Sequence, residues 1–272
     1  MAKVTVIIPT FNRSQVLPRA IDSVFSQSFE DWELIVVDDG SDDGTDTLLK
    51  TYKDPRVTVM TQNNRGVSAA RNLAIKASQS LYVAFLDSDD EWLSHKLQDQ
   101  INYMEENDDI PLVHGEEIWV RNGVRVNPMK KHKKSGGDVF ADSLKLCCIS
   151  PSPALMRKTI FEEVGHFRED FAVCEDYDLW LKITSRYPVG FLSHSLIKKY
   201  GGHEDQLSRK YKAMDYWRIK SMTDLLTTES LKSDQKALLK AEVSKKCQVL
   251  LKGYRKHENL SSYDEVFQNL FL

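Results

Sequence analysis

Two acidic clusters stand at the ends of two apolar runs. Leu34-Ile35-Val36-Val37 leads into Asp38-Asp39-Gly40-Ser41, and Leu81-Tyr82-Val83-Ala84-Phe85-Leu86 leads into Asp87-Ser88-Asp89-Asp90. Five carboxylates gathered in this way repel one another unless they are protonated, solvated or neutralised by a cation. Oxygen-only ligands suit a hard divalent ion, Mg²⁺ or Mn²⁺. Turns and helix caps draw on the same residue types, and for Asp42 and Asp43 that is the preferred reading, as caps of the following helix. Asp87, Asp89 and Asp90 follow a buried run directly, at the point where open parallel sheets bind their ligands.

The elements that would carry these clusters can be read from periodicity. Val4 to Ile8, Leu34 to Val37, Val57 to Met60 and Leu81 to Leu86 are short β-rich runs, and helical patterns follow them. Val16, Leu17, Ala20, Ile21, Val24 and Phe25 recur at helical spacing behind Ser14 as a candidate N-cap; further helices are predicted from Thr45 and over Val67–Ala77. Near-continuous apolar strands alternating with helices imply an α/β fold on a mostly parallel central sheet flanked by helices. Beyond residue 112 the order changes. Ile118 to Val126 reads as a hairpin around Asn122-Gly123, Thr159–Val164 as a short helix stopped by Gly165, and Glu175–Arg186 as another helix. From about Met214 the chain looks helical. The expected division is residues 1–211 as one domain, with a change of pattern between 1–112 and 113–211, followed by a helical extension over 212–272.

The ordered series IIPTFNR, VVDDGSDD, NNRGVSAARN, FLDSDDEW and CEDYDLWL, spread over roughly residues 3–205, resembles the inverting, metal-dependent family 2 glycosyltransferases of the GT-A fold. The resemblance implies transfer of a sugar from a nucleotide-diphosphate donor, a UDP-sugar by preference, to a glycan or lipid-linked acceptor, with residues 1–112 as the nucleotide-binding half and 113–211 as the acceptor-binding half. It implies that Asp39 accepts a hydrogen bond from the uracil imide, with Phe11 as an aromatic wall and Pro9 and Thr10 as backbone contacts. A core position for Phe11 is the competing reading. Arg71 resembles the arginine that reaches the nucleotide, against a salt bridge to Asp38 or Asp39.

Asp87-Ser88-Asp89 is the DxD motif of that family. By resemblance Asp89 contacts the ribose or the metal and Asp90 binds the metal, a Mg²⁺ or Mn²⁺ cofactor that makes the nucleoside diphosphate a competent leaving group. In Glu175-Asp176, Asp176 takes the general-base position, with helix capping as the alternative for either residue. His203, in Tyr200-Gly201-Gly202-His203, falls where relatives place a histidine completing the metal or diphosphate site; a surface histidine is the alternative. His114, His132, His166, His194 and His257 have no such context.

Composition bounds the rest. The chain has 272 residues, 41% of them hydrophobic, enough for a core without staples. Its net charge of −3 excludes a global basic field for nucleic acid, yet residues 1–112 carry 10 basic and 19 acidic side chains and the remainder 27 and 21. Cys147, Cys148, Cys174 and Cys247 form no CxxC pair and read as reduced thiols of a cytoplasmic protein. No apolar run reaches the length of a membrane span. Residues 232–256 carry 8 basic and 2 acidic side chains, so this segment reads either as a helix lying on the inner face of the membrane or as a docked helix with a solvated face. Lys130 to Lys134 form a basic loop or lid. The oligomeric state is left open. A sugar-nucleotide pyrophosphorylase or a dinucleotide-binding dehydrogenase would need a Gly-rich loop where Pro9-Thr10-Phe11-Asn12 stands. A non-catalytic nucleotide-sugar-binding protein of the same fold is the remaining rival, since fold alone does not make an enzyme.

Overall fold

The computed structural model describes residues 1–127, 129, 132–202, 213–228 and 231–256. His203, Lys130 and Lys131 lie outside the described residues.

Four strands form the parallel half of a single mixed sheet: β1 (Val4–Thr10), β2 (Trp32–Asp38), β3 (Val57–Thr61) and β4 (Tyr82–Phe85), in the order β3-β2-β1-β4. The helices between them are α1 (Leu17–Phe25), α2 (Thr45–Leu49) and α3 (Val67–Ala77). Register pairs Thr10 with Asp38 and Ile7 with Phe85, so the carboxyl ends of β1, β2 and β4 emerge side by side. All seven residues of β1 are buried, as a strand covered on both faces requires. Val4, Val6 and Ile8 pack with α1, while Ile7 packs with Ala70 and Ala74 of α3 on the opposite face.

The second half departs from simple alternation. After β4 come β5 (Glu91–Trp92), α4 (Lys96–Glu106), β6 (Leu112–Arg121), β7 (Val124–Val126), α5 (Phe140–Lys145), β8 (Leu155–Arg157), α6 (Ile160–Val164), α7 (Glu175–Thr184) and β9 (Gly190–Gly201). The sheet continues β4-β8-β6-β9-β5, with β8 antiparallel to β4 and β6 and with β9 parallel to β6. The β6–β7 hairpin turns where expected, and Gly165 ends α6 at φ 81°. Ser14 does not cap α1. The N-cap position is Val16, without a side-chain bond, because Ser14 is held through its N–H by Asp43 Oδ2 at 2.9 Å. Asp43 in turn accepts the Thr45 N–H at 3.1 Å, but the N-cap position of α2 is Gly44, at φ 91° and without a side-chain bond. Neither Asp43 nor Asp42, which donates its own N–H to Asn12 Oδ1, is therefore the N-cap residue.

The chain ends, among the described residues, in α8 (Asp215–Thr228) and α9 (Ser233–Lys256). Their apolar sides share one core with Phe140, Leu144, Tyr177 and Leu181 of α5 and α7. Leu239, Val243, Cys247, Leu250 and Leu251 of α9 are buried there, so the face that an interfacial helix would sink into lipid packs against protein instead. No described helix is long and apolar enough to cross a membrane.

Candidate active site

A cleft of about 1,120 Å³ opens beyond the carboxyl ends of β1, β2 and β4, where the first turn of α3 and the start of α7 meet them. It is lined by Pro9, Thr10, Phe11, Asp39, Arg71, Asp87, Ser88, Asp89, Asp90 and Asp176, so every described residue singled out for the site faces one space. Phe11 is 43% exposed and is not a core aromatic.

Asp39 is held rigidly. Its Oδ1 accepts from Gln62 Nε2 at 2.7 Å and Arg65 N at 2.9 Å, and its Oδ2 accepts from Gly66 N at 2.8 Å. Three of roughly four lone-pair positions are thus filled by the loop that opens α3. Gly66 makes that approach at φ 90°, where a side chain would be strained.

Arg71 is buried and pairs with neither Asp38 nor Asp39. Its Nη1 donates to Glu175 Oε1 and its Nη2 to Asp87 Oδ1, each at 2.8 Å. It therefore ties α3 to the acidic turn after β4 and to the first turn of α7. Burial pulls the guanidinium pKa down, but the charges of Asp87, Glu175 and Asp176 outweigh it and the shift is upward. Burial, then the charge of Asp176, pushes the Glu175 carboxyl up to about 7 against the pull of Arg71. Glu175 is thus an ion-pair partner and not a cap. Cys174, the residue before it, adopts a left-handed φ of 64°, a conformation that costs a non-glycine residue about 1 kcal/mol and here turns Glu175 and Asp176 into the cleft. Asp176 is half-buried; its Oδ1 accepts Tyr177 N at 2.7 Å and its Oδ2 the Cys147 thiol at 3.4 Å.

Asp90 lies deepest. Ser152 Oγ donates to its Oδ2 at 2.6 Å and Tyr200 N to its Oδ1 at 3.0 Å. Burial pushes this carboxyl well above the usual range; Lys199 opposes that shift, and Asp89 and Asp87 add to it. Among the described residues, Arg71 interacts with the charges of Asp87, Glu175 and Asp176, and Lys199 with those of Asp90, Asp87 and Asp176, while Arg13 and Arg65 also line the cleft. An all-oxygen donor set with a suppressed buried charge fits a hard divalent cation. Three buried polar atoms of cleft-lining residues, Thr10 Oγ1, Ser68 Oγ and Arg71 Nε, have no hydrogen-bond partner among the described residues. Buried polar groups are seldom left so, and a polar ligand in the cleft would satisfy them.

The sequence profile of Glycosyl transferase family 2 matches residues 5–165. The chain belongs to that family. WfgD of Escherichia coli, described as a UDP-Glc:alpha-D-GlcNAc-diphosphoundecaprenol beta-1,3-glucosyltransferase, is 30% identical over 214 residues, which cover 78% of this chain and 82% of WfgD. An uncharacterized glycosyltransferase of Rickettsia bellii is 36% identical over 204 residues, and the chain spans only 28% of its length. Among solved structures, S. aureus TarS 1-349 in complex with UDP-GlcNAc superposes with a TM-score of 0.70 at 18% identity, over 97% of this chain and 90% of that one. The mannosyltransferase PcManGT of Pyrobaculum calidifontis, in complex with GDP-Man and Mn2+, superposes with a TM-score of 0.67 at 15% identity, over 99% of this chain and 83% of that one. These likenesses establish the GT-A fold for this family 2 chain.

A second chamber of about 320 Å³ adjoins the cleft and shares Asp176, Lys199 and Tyr200 with it. Trp119, Arg121, His132, Cys147 and Arg218 also line it. Trp119 packs against His132 with ring centroids 5.3 Å apart. Arg218 comes from α8, beyond the span that the family profile covers. Sequence reasoning missed Lys199, whose only signal was its place just before Gly201-Gly202. Burial lowers the Lys199 pKa, but Glu117, Asp90, Asp87 and Asp176 outweigh this and raise it, so the side chain stays charged. Lys134 is no lid cation, since it is buried and pairs with Glu117 Oε1 at 2.6 Å.

Proposed function

We propose that this family 2 chain transfers a sugar, with inversion, from a UDP-sugar in the main cleft to a diphosphate-linked glycan acceptor in the second chamber. The reading rests chiefly on one observation: Asp39, Asp89, Asp90 and Asp176, drawn from separate segments, line a single cleft. Asp39 would accept the uracil N3–H on the lone pair its own loop leaves open, and Phe11 would pack beside the base. Asp89 and Asp90 would hold a Mg²⁺ or Mn²⁺ ion, whose chemistry there is to offset the charge of the departing diphosphate.

Asp176 borders both chambers, which is where a general base must stand. As the acceptor oxygen bonds to the anomeric carbon, its proton passes to Asp176, the bond from that carbon to the diphosphate breaks, and UDP leaves. The transition state is oxocarbenium-like. Trp119 offers a face for the acceptor sugar, and Arg121 and Arg218 offer charge for the acceptor's own phosphates. The acceptor for which WfgD is named, a diphosphoundecaprenol carrying α-linked GlcNAc, supports that class of acceptor.

Incubation with UDP-glucose, UDP-GlcNAc or GDP-mannose, each with Mn²⁺ and an alkyl diphosphate bearing α-linked GlcNAc, tests the proposal. One of the two UDP-sugars is expected to raise the melting temperature and to be consumed with formation of a disaccharide. Preference for the GDP-sugar, or binding without any transfer, would overturn it.

A further inference from the structure

A group of metal-ligand side chains lies outside both chambers. His95 occupies the N-cap position of α4, and Asp99 stands four residues later on the same helix face. β9 reaches this face through an irregularity. Gly115 and Glu116 of β6 pair with Leu192 and Ser195, so Ser193 and His194 are extra residues bulged out of the ladder. Bulges re-aim side chains, and this one brings His194 Nε2 to 2.8 Å from Asp99 Oδ2. His95 Nε2 is 3.9 Å from the same oxygen, and the two imidazole centroids are 5.5 Å apart. One ligand atom from each of the three residues lies within 4.8 Å of the others. None of them lines the cleft or the adjoining chamber. His194 precedes Lys199 by five residues, a distance of about 16 Å along extended strand.

We propose that His95, Asp99 and His194 form a second metal site that takes a borderline transition-metal dication such as Zn²⁺ and ties α4 to β9. Two ligand atoms on a tetrahedral zinc at about 2.1 Å stand about 3.4 Å apart. His194 Nε2 and Asp99 Oδ2, at 2.8 Å, need to part only slightly to reach that spacing, and a ligand atom of His95 lies within 4.8 Å of both residues. His95 Nε2 also lies 3.2 Å from Ser195 O. With the Nε2 proton donated there, Nδ1 keeps the lone pair that a metal needs, and the carbonyl is the outer partner that orients a ligating imidazole. Two imidazoles and one carboxylate favour Zn²⁺, Ni²⁺ or Co²⁺, whereas the oxygen-only cleft favours Mg²⁺ or Mn²⁺, so donor chemistry keeps the two sites distinct. The position gives the staple a purpose. The acidic turn at Asp87–Asp90 runs straight into β5, a two-residue edge strand whose one strand partner among the described residues is β9, and then into α4. An ion bridging α4 and β9 would clamp both neighbours of that edge strand.

The test uses the full chain, stripped of metal with a chelator and then saturated with Mg²⁺. ZnCl₂ is titrated while thermal unfolding is followed, and CoCl₂ while visible absorption is followed. The expected result is a saturable rise in melting temperature at one equivalent, because an ion that binds the folded state stabilises it. Zinc affinity should fall at least 30-fold in His194→Ala and at least tenfold in Asp99→Asn, and Asp90→Asn should leave it unchanged. The side chains of His194 and Asp99 are 49% and 33% exposed, so neither substitution empties the core. Absence of a saturable shift in the wild-type chain, or unchanged affinity in His194→Ala, would overturn the site. So would a cobalt spectrum dominated by thiolate, since it would place the ion on Cys147, Cys148 or Cys174.

Discussion

Asp176 and Lys199 both border the main cleft and the second chamber, an acidic and a basic side chain at their junction. A general base typically contributes about 10²–10⁴-fold in rate. Asp176→Asn should therefore lower kcat for transfer by about that factor while leaving the donor's effect on melting temperature intact. Steady-state kinetics beside thermal-shift titration checks this, and near-normal kcat in the variant would remove Asp176 from the proton step. On the proposed reading, Lys199 would face the negative charge that builds on the leaving diphosphate. Removing one such electrostatic contact costs roughly 10²–10³-fold. Lys199→Gln should lower kcat by about 10²-fold and Lys199→Arg should restore most of it. An equal loss in both variants would mean that the lysine serves only packing.

At the scale of elements, the parallel half was legible because burial on both faces turns each strand into a continuous apolar run. Val4–Ile8 and Leu81–Leu86 announce β1 and β4, and α3 spans the predicted Val67–Ala77. β9 gave no such signal, since Ser193, His194, Ser195, Lys198 and Lys199 break its apolar pattern where it bulges and where it reaches the cleft. β5 and β8 are two and three residues long, too short for any periodicity. α4 was readable from Leu97, Ile101 and Met104 at helical spacing but was not anticipated. The acidic site residues stood out because carboxylates are conspicuous after a strand, whereas the partners of Arg71 depend on long-range packing. The Lys134–Glu117 pair that pins the segment before α5 onto β6 was equally hidden. Burial raises the Glu117 pKa, but Lys134 and Lys199 outweigh it and hold the group near about 2. Burial, then the charge of Lys134, holds neighbouring His114 near about 3. Both folded values lie below their unfolded ones, so the folded state binds fewer protons and stability is lost as pH falls. The loss should begin near pH 6.5 with His114 and continue through about 4.5 toward 2 with Glu117. Chemical denaturation between pH 7 and 3 should show it. Lys134→Met should cost about 3–5 kcal/mol at pH 7, because it strands a buried carboxylate. A pH-independent midpoint would exclude the ionised pair.

For the whole molecule, the question is whether α8 and α9 are an appendage or part of the fold. Their buried residues Ile219, Met222, Leu225, Leu239, Val243 and Leu250 meet Phe140, Leu144, Val173, Tyr177 and Leu181 in one core. Polar contacts reinforce the seam: Ser221 Oγ donates to Asp178 Oδ1 at 2.9 Å, and Lys246 Nζ donates to Lys145 O at 2.9 Å. A chain ending at residue 211 would expose those five side chains of α5, α7 and the segment between them. At about 1.5–3 kcal/mol for each large buried apolar group, the cost is on the order of 7–15 kcal/mol. That equals the entire stability of a typical domain, about 5–15 kcal/mol. The truncated chain should therefore lose cooperative unfolding and bind an exposed-surface dye, and its site should fail with it, since α7 carries Glu175 and Asp176 on the same helix whose other residues the tail covers. Calorimetry on the two lengths decides the matter. A sharp transition retained by residues 1–211 would make the tail a separate unit laid over a self-sufficient domain, and Arg218 would then line the second chamber from outside the unit that folds on its own.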